Sequence, residues 1–317
     1  MAEQMVGSEF QALDPELLDR VTGRLGIPHD IRNDLDGLRI VYAAWCSHIP
    51  FDNMRKMISL RAGGDAELAG LDAEDFLENY LANGTGGTCW PSSNAIYSLL
   101  RSLGFDARRA AGSMYEMPDV NHGTVKVAID GIDWVADSSM LTYEPFPLTG
   151  ETLTKTDTPN RFEVEVYEGS DVIWVDFPPL PEFIPCRLRL DPVGDDLYQE
   201  RYQVFSRNRS PFNDKLYFRK GGPQGTTVIL GHTQFKRKGT GDELDVREFD
   251  RDGLCSYLVD EMGVSQKLID DWVASGSLES TFAETERPPS PEISRPRPSR
   301  REAALASSSR TVPLLVR

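Results

Sequence analysis

Two runs that alternate apolar and polar residues, 123–130 (GTVKVAID) and 131–137 (GIDWVAD), meet at Asp130-Gly131. That dipeptide between alternating runs specifies a β-hairpin, because its tight turn needs two residues that tolerate positive φ. With a two-residue turn, Ile129 faces Ile132, Thr124 faces Asp137 and His122 faces Ser139. Val125, Val127, Ile129, Ile132, Trp134 and Ala136 share the opposite, apolar face. His122 and Asp137 are then diagonal neighbours, roughly 7–8 Å apart at the backbone and within side-chain reach. The register thus predicts an imidazole–carboxylate pair. A polar pair on a sheet surface has the same pattern, and a bulge would break it.

An imidazole held by a carboxylate calls for a nucleophile. Cys89 follows a glycine-rich stretch, Gly84-Thr85-Gly86-Gly87-Thr88, and precedes Trp90-Pro91. Pro91 suits the first turn of a helix, where its missing N–H costs nothing. The stripe Ile96, Leu99, Leu100 and Leu103, stopped by Gly104, continues that helix. Cys89 therefore stands at a helix N-terminus, where the dipole and unpaired N–H groups favour a thiolate. Two readings stand for it, an activated nucleophile or a buried inert thiol. Cys46 beside Trp45, Cys255 in the stripe Leu254–Leu258, and Cys186 after a proline-rich bend read as packing residues. Of the other histidines, His48 falls on a different helix face from Cys46, His232 has no comparable acidic partner, and His29 adjoins a turn.

The remaining patterns divide the chain. Stripes at Leu35, Leu38, Tyr42 and Trp45, and at Phe76, Leu77, Tyr80 and Leu81, make residues 1–104 mostly helical. Residues 105–205 carry the hairpin and the strand-like runs RFEVEVY and DVIWVDF, an antiparallel sheet or barrel. Residues 206–284 mix strands with a late helix, and 285–317 are Pro-, Ser- and Arg-rich, a disordered tail.

Charge narrows the function. A net charge of -16 over 317 residues argues against a nucleic-acid binder, which needs a basic footprint. The segment 206–238 departs from this with eight Lys or Arg against Asp214 alone, a strip that suits phosphates or is ordinary solvated surface. Four scattered cysteines without a CxxC pair fit neither a disulfide scaffold nor a zinc site, so no metal is expected and a reduced, cytoplasmic setting is. No apolar run reaches membrane-span length, and the N-terminus lacks a signal-peptide pattern.

In order along the chain stand Pro50-Phe51-Asp52-Asn53-Met54, then Gly86-Gly87-Thr88-Cys89, Leu103-Gly104-Phe105, His122, Asp137 and Ser210-Pro211-Phe212 before Lys215-Leu216-Tyr217. This set resembles the arylamine N-acetyltransferase family, a branch of the transglutaminase-like cysteine enzymes, over roughly residues 30–275. The resemblance departs at two positions. The family arginine falls on Thr85 and the family glutamate on Pro91. Losing both charges together is tolerable, whereas one left buried without its partner would cost about 3–5 kcal/mol.

The resemblance implies an α+β fold. An N-terminal helical bundle (1–104) carries the nucleophilic cysteine, a central antiparallel β-barrel (105–205) carries the histidine and aspartate, and a C-terminal α/β lid (206–284) follows. It implies a catalytic Cys89–His122–Asp137 triad, with Phe51, Trp90 and Thr124 as substrate-pocket residues. The implied reaction moves an acyl group, acetyl above all, from acetyl-CoA or another acyl-CoA to a small-molecule amine, with no bound cofactor. Amide synthesis from an acyl carrier protein is the alternative. Other classes are a transglutaminase-like peptidase with the same triad and an idle binding protein that kept the fold.

Overall fold

The computed structural model of the chain describes residues 12–63, 66–115, 119–155, 160–167, 170–175, 183–189, 193–209, 212–222, 225–237 and 243–284. The tail 285–317, Ser210, Pro211 and Lys238 lie outside the described residues.

The three helical stripes form helices. Counting from α1 (Pro15–Leu25), they are α2 (Leu35–His48), α4 (Ala73–Asn83) and α5 (Cys89–Ser102), with the short α3 (Met54–Arg61) between. Asp14, Asp34 and Asp72 cap α1, α2 and α4 by accepting from main-chain N–H groups of the first turn. Gly84 ends α4 at φ 70°, a left-handed conformation that favours glycine. Leu38, Tyr42 and Trp45 of α2 join Phe76, Leu77, Ile96 and Leu99 in one buried core.

The expected barrel is a curled, open sheet of eight strands. Its order is β5 (Phe146–Pro147), β4 (Ile132–Val135), β3 (His122–Ile129), β2 (Ala107–Met114), β9 (Ile184–Arg189), β8 (Ser170–Val175), β7 (Phe162–Tyr167), β6 (Leu153–Lys155). Every described pairing is antiparallel, and the end strands β5 and β6 do not pair with each other among the described residues. The hairpin register is the one expected from Ile129 opposite Ile132 to Lys126 opposite Val135, but β4 ends there, so the expected pairings of Thr124 with Asp137 and His122 with Ser139 are not part of the ladder. Asp130 and Gly131 both take positive φ, as the turn requires. Val125, Val127 and Ile129 pack against the helical core, but Ile132 is 37% exposed and fills nothing.

A second sheet has the order β1 (Phe51–Asp52), β10 (Tyr217–Gly222), β11 (Gly225–Leu230), β12 (Thr233–Arg237), β13 (Leu244–Glu248). With α3, α8 (Arg251–Asp260), α9 (Gln266–Ala274) and α10 (Ser277–Phe282) it encloses a core of Met54, Met57, Phe218, Ile229, Leu254 and Trp272. Between the sheets run α6 (Asp195–Gln199), a π-helical stretch (Glu200–Ser206) and α7 (Arg207–Arg209). Strand β1 lies 165 residues before its partner β10 and carries the Pro-Phe-Asp-Asn segment, so early and late parts of the chain share one sheet.

Candidate active site

Cys89 is the first residue of α5, as the glycine-rich stretch and Pro91 predict. The loop before it is packed too tightly for side chains. A Cβ on Gly86 would lie 2.1 Å from the Pro50 carbonyl oxygen, and one on Gly87 2.9 Å from the Phe76 ring. Strand β1 pins this loop. Phe51 bridges to Gly87, and the Asp52 N–H donates to the Gly87 carbonyl at 3.2 Å. The buried Asp52 carboxylate accepts from the Gly86 N–H at 2.6 Å and the Met54 N–H at 3.0 Å. Burial nevertheless pushes its pKa up to about 6.

The hairpin delivers the other two groups. His122 Nε2 lies 2.7 Å from Asp137 Oδ2, and both side chains are buried. Cys89 is within side-chain hydrogen-bonding reach of His122, and its thiol donates to the Asn121 carbonyl at 3.8 Å. The structure therefore brings together Cys89, His122 and Asp137. Ser93, one turn into α5, ties the arms together by donating to the Gly123 carbonyl at 2.7 Å and meeting the Ser138 hydroxyl at 3.0 Å.

Burial opposes charge on both members of the pair, and their mutual attraction wins. His122 is held well above the usual imidazole range by the Asp137 carboxylate, helped by Cys186 and by hydrogen bonds to Asp137 and Cys89. Asp137 is brought down to about 2 by His122, the Thr124 hydroxyl and the Met140 N–H. The two form an imidazolium–carboxylate pair, in which the ring holds a proton taken from the thiol and can pass it to a leaving group.

The three pocket residues predicted beside the triad are all buried. Phe51 sits in an aromatic cluster, edge-on to Phe212 and Tyr217 at 5.3 and 5.6 Å between ring centres. Trp90 packs edge-on to Tyr198 at 4.9 Å and over Gly123, where a Cβ would lie 2.7 Å from its ring. Thr124 lies beside Asp137. At the positions where the resemblance expects charges, Thr85 is buried and bonded by Asn79 at 3.0 Å, and Pro91 is buried against Gly87.

Among the described residues, the cations of the basic strip over 206–238 do not share one surface. Arg219 and Arg237 are 0% and 4% exposed. Lys220 donates to the Met262 carbonyl at 2.7 Å and Lys215 to the Ala283 carbonyl at 2.6 Å. Counting charges along a strand cannot see that alternate residues turn into a core. Among the described residues, no helix is long and apolar enough to cross a membrane.

Comparison with known proteins bears on the family and the fold. A family model described as N-acetyltransferase matches residues 34–269. Proansamycin X synthase of Amycolatopsis mediterranei is 29% identical over 119 residues, 36% of this chain and 44% of that protein. An arylamine N-acetyltransferase of Mycolicibacterium smegmatis is 27% identical over 117 residues, 35% of this chain and 40% of that protein. The chain thus spans less than half the length of these two relatives. In fold it is similar to the Mycobacterium marinum arylamine N-acetyltransferase solved in complex with CoA. There the TM-score is 0.70 at 17% identity, covering 83% of this chain and 97% of that one.

Proposed function

The chain belongs to the arylamine N-acetyltransferase family, and from that premise we propose that it moves an acyl group, acetyl foremost, from a CoA thioester to a small amine through an acyl-enzyme on Cys89. The observation that carries the reading is the 2.7 Å contact between His122 and Asp137, with Cys89 beside it at the start of α5.

In the first half-reaction His122 holds the Cys89 proton and the thiolate attacks the thioester carbonyl. The carbon–sulfur bond to CoA breaks, and CoA leaves as a thiol with the proton from His122. In the second, the amine nitrogen attacks the Cys89 thioester and His122 takes its proton. The amide forms and Cys89 departs as thiolate, paired again with imidazolium. Asp137 orients the ring and stabilises its cation throughout. The Cys89 N–H belongs to the first helical turn, whose donors point away from the helix's own carbonyls, and can receive the oxyanion. Transfer from one thioester to another is nearly isoenergetic, which suits a cysteine nucleophile to this donor.

The CoA complex of the Mycobacterium marinum relative supports CoA as donor, and a cytoplasmic setting goes with it. On this reading 1–104 supplies the nucleophile, 105–205 the histidine and aspartate, and 206–284 acts as the lid. Phe51, Trp90 and Thr124 shape the site from behind. The similarity to proansamycin X synthase favours amide synthesis as a second reading, although the described residues offer no support for a carrier-protein partner.

Intact-protein mass spectrometry after mixing with a panel of acyl-CoAs tests the proposal. The expected result is a gain of one acyl group, lost in Cys89→Ser. No gain with any acyl-CoA, or a gain that survives Cys89→Ser, would overturn it.

A further inference from the structure

Asp137 presents its two oxygens differently. Oδ2 meets His122, while Oδ1 accepts from the Ser139 N–H at 3.0 Å, the Ser139 hydroxyl at 3.0 Å and the Met140 N–H at 2.8 Å. Those bonds decide which oxygen is left for the imidazole, so the direction of two peptide N–H groups sets the geometry of the pair.

The carbonyls of the same loop are held from the other side. Tyr42 Oη donates to the Asp137 carbonyl at 2.7 Å and Trp45 Nε1 to the Ser138 carbonyl at 3.3 Å, both from α2. Arg219, from β10, donates to the Ser139 carbonyl at 3.4 Å and the Met140 carbonyl at 2.9 Å. A peptide unit is planar, so holding its oxygen fixes where its N–H points. The unit whose oxygen Trp45 holds is the one whose Ser139 N–H grips Asp137. The unit whose Ser139 oxygen Arg219 holds is the one whose Met140 N–H does so. A cation on the oxygen also polarises the unit and strengthens its N–H as a donor.

This loop needs outside restraint. Leu141 and Tyr143, just beyond it, have φ of 52° and 65°, left-handed values that cost a side-chain-bearing residue energy. The Arg219 backbone is also linked to the loop that precedes the nucleophile. It pairs with Phe51 in β1, and Phe51 bridges to Gly87, two residues before Cys89. One residue of the late sheet therefore adjoins both arms of the site.

We infer that Arg219 is a positioning residue for the acyl transfer proposed above, aiming the Asp137 carboxylate at His122 through the Ser139 and Met140 peptide units. The inference rests on that reading of the triad. It assigns a role to a buried cation that charge counting places on a phosphate-binding surface.

Turnover of p-nitrophenyl acetate, an acyl donor without phosphates, tests it. Arg219→Met should lower kcat by about tenfold to a hundredfold and leave KM within about twofold, because a displaced orienting group harms the transition state rather than binding. Arg219→Lys, which can still donate to one carbonyl, should recover part of the loss. In an Asp137→Asn background, Arg219→Met should cost less than about twofold further, since its target is gone. An unchanged kcat in Arg219→Met, or an equal loss in both backgrounds, would overturn the inference. If Arg219→Met fails to fold, Arg219→Lys enters the same cycle in its place, with a smaller expected loss that should likewise vanish in the Asp137→Asn background. A wild-type protein without turnover at Cys89 would overturn the acyl-transfer reading alone. The NMR signal of the His122 ring proton shared with Asp137 then carries the test. It should shift and broaden in Arg219→Met or Arg219→Lys, and an unmoved signal would refute the positioning role.

Discussion

The buried ammonium of Lys56 is bonded to Ser206, to its hydroxyl at 2.7 Å and its carbonyl at 3.2 Å. Burial pushes this lysine from 10.5 down to about 7, with Cys89 resisting and Arg207 adding to the fall. A lysine depressed by folding destabilises the native state. The penalty is absent above about 10.5, grows as pH falls and is complete below about 7. At roughly 1.4 kcal/mol per pKa unit it amounts to a few kcal/mol. Lys56→Met should therefore change Tm more favourably at pH about 6 than at pH about 9, by several degrees. Calorimetry at the two pH values checks this. An equal change at both would show that the ammonium titrates alike in the folded and unfolded chain.

Asp137 and His122 carry the opposite sign. Asp137, lowered from 3.8 to about 2, stabilises the fold above about pH 4, and the gain is lost as pH falls through about 2. His122, raised above 6.5, contributes fully below that value and loses its contribution as pH rises through its folded value. Asp137→Asn should cost roughly 2 kcal/mol near pH 7 and visibly less near pH 3, as measured by urea unfolding. It should also slow acylation by about a thousandfold or more, because the imidazole loses its orienting anion. A stability gap that does not narrow in acid would contradict the assignment of the pair.

Cys89 should be the first of the four cysteines to react with iodoacetamide near pH 6.5. Burial pushes Cys46 and Cys186 up to about 12 and raises Cys255, whereas Cys89 is half-buried beside His122. Peptide mapping of a labelling time course reads the order directly. Labelling of Cys255 at the rate of Cys89 would remove the case for an activated thiol.

Gly86→Ala should destabilise the protein by about 1–3 kcal/mol and depress acylation further than that loss explains. Its Cβ would lie 2.1 Å from the Pro50 oxygen and would push apart the loop and strand that seat Cys89. Gly23→Ala, inside α1 with nothing within 4 Å of the added carbon, is the control and should be neutral or mildly stabilising. Similar behaviour of the two variants in thermal melts would mean the loop yields without cost.

Local features were legible in the sequence. The Asp130-Gly131 turn fixes the ladder as far as Lys126 and Val135, which brings the chain back beside His122, and the loop after β4 then places Asp137. The glycine stretch and Pro91 mark the start of α5 and put Cys89 on its first residue. What was not legible is non-local or too short for a period. Strand β1 has two residues, fewer than any alternation can reveal. Strand β2, with Ala107, Ala110 and Ala111, lacks the branched residues that announce a strand. Tyr42 and Trp45 read as core residues because their rings are, yet their polar atoms reach more than 90 positions along the chain to the Asp137 loop. Arg219 read as surface charge because composition carries no information about which way a strand residue points.

The two-residue strand β1 also sets when the site comes into being. Phe51 and Asp52 hydrogen-bond to β10, and Asn53 is bonded to Phe212, Lys215 and Tyr217. A chain leaving the ribosome carries Cys89, His122 and Asp137 well before it carries these partners. Until residues 212–219 emerge, neither the glycine loop nor the Asp137 loop has its outer support. The supports that seat the thiol and the Asp137 loop are therefore completed only when about two thirds of the chain has been made.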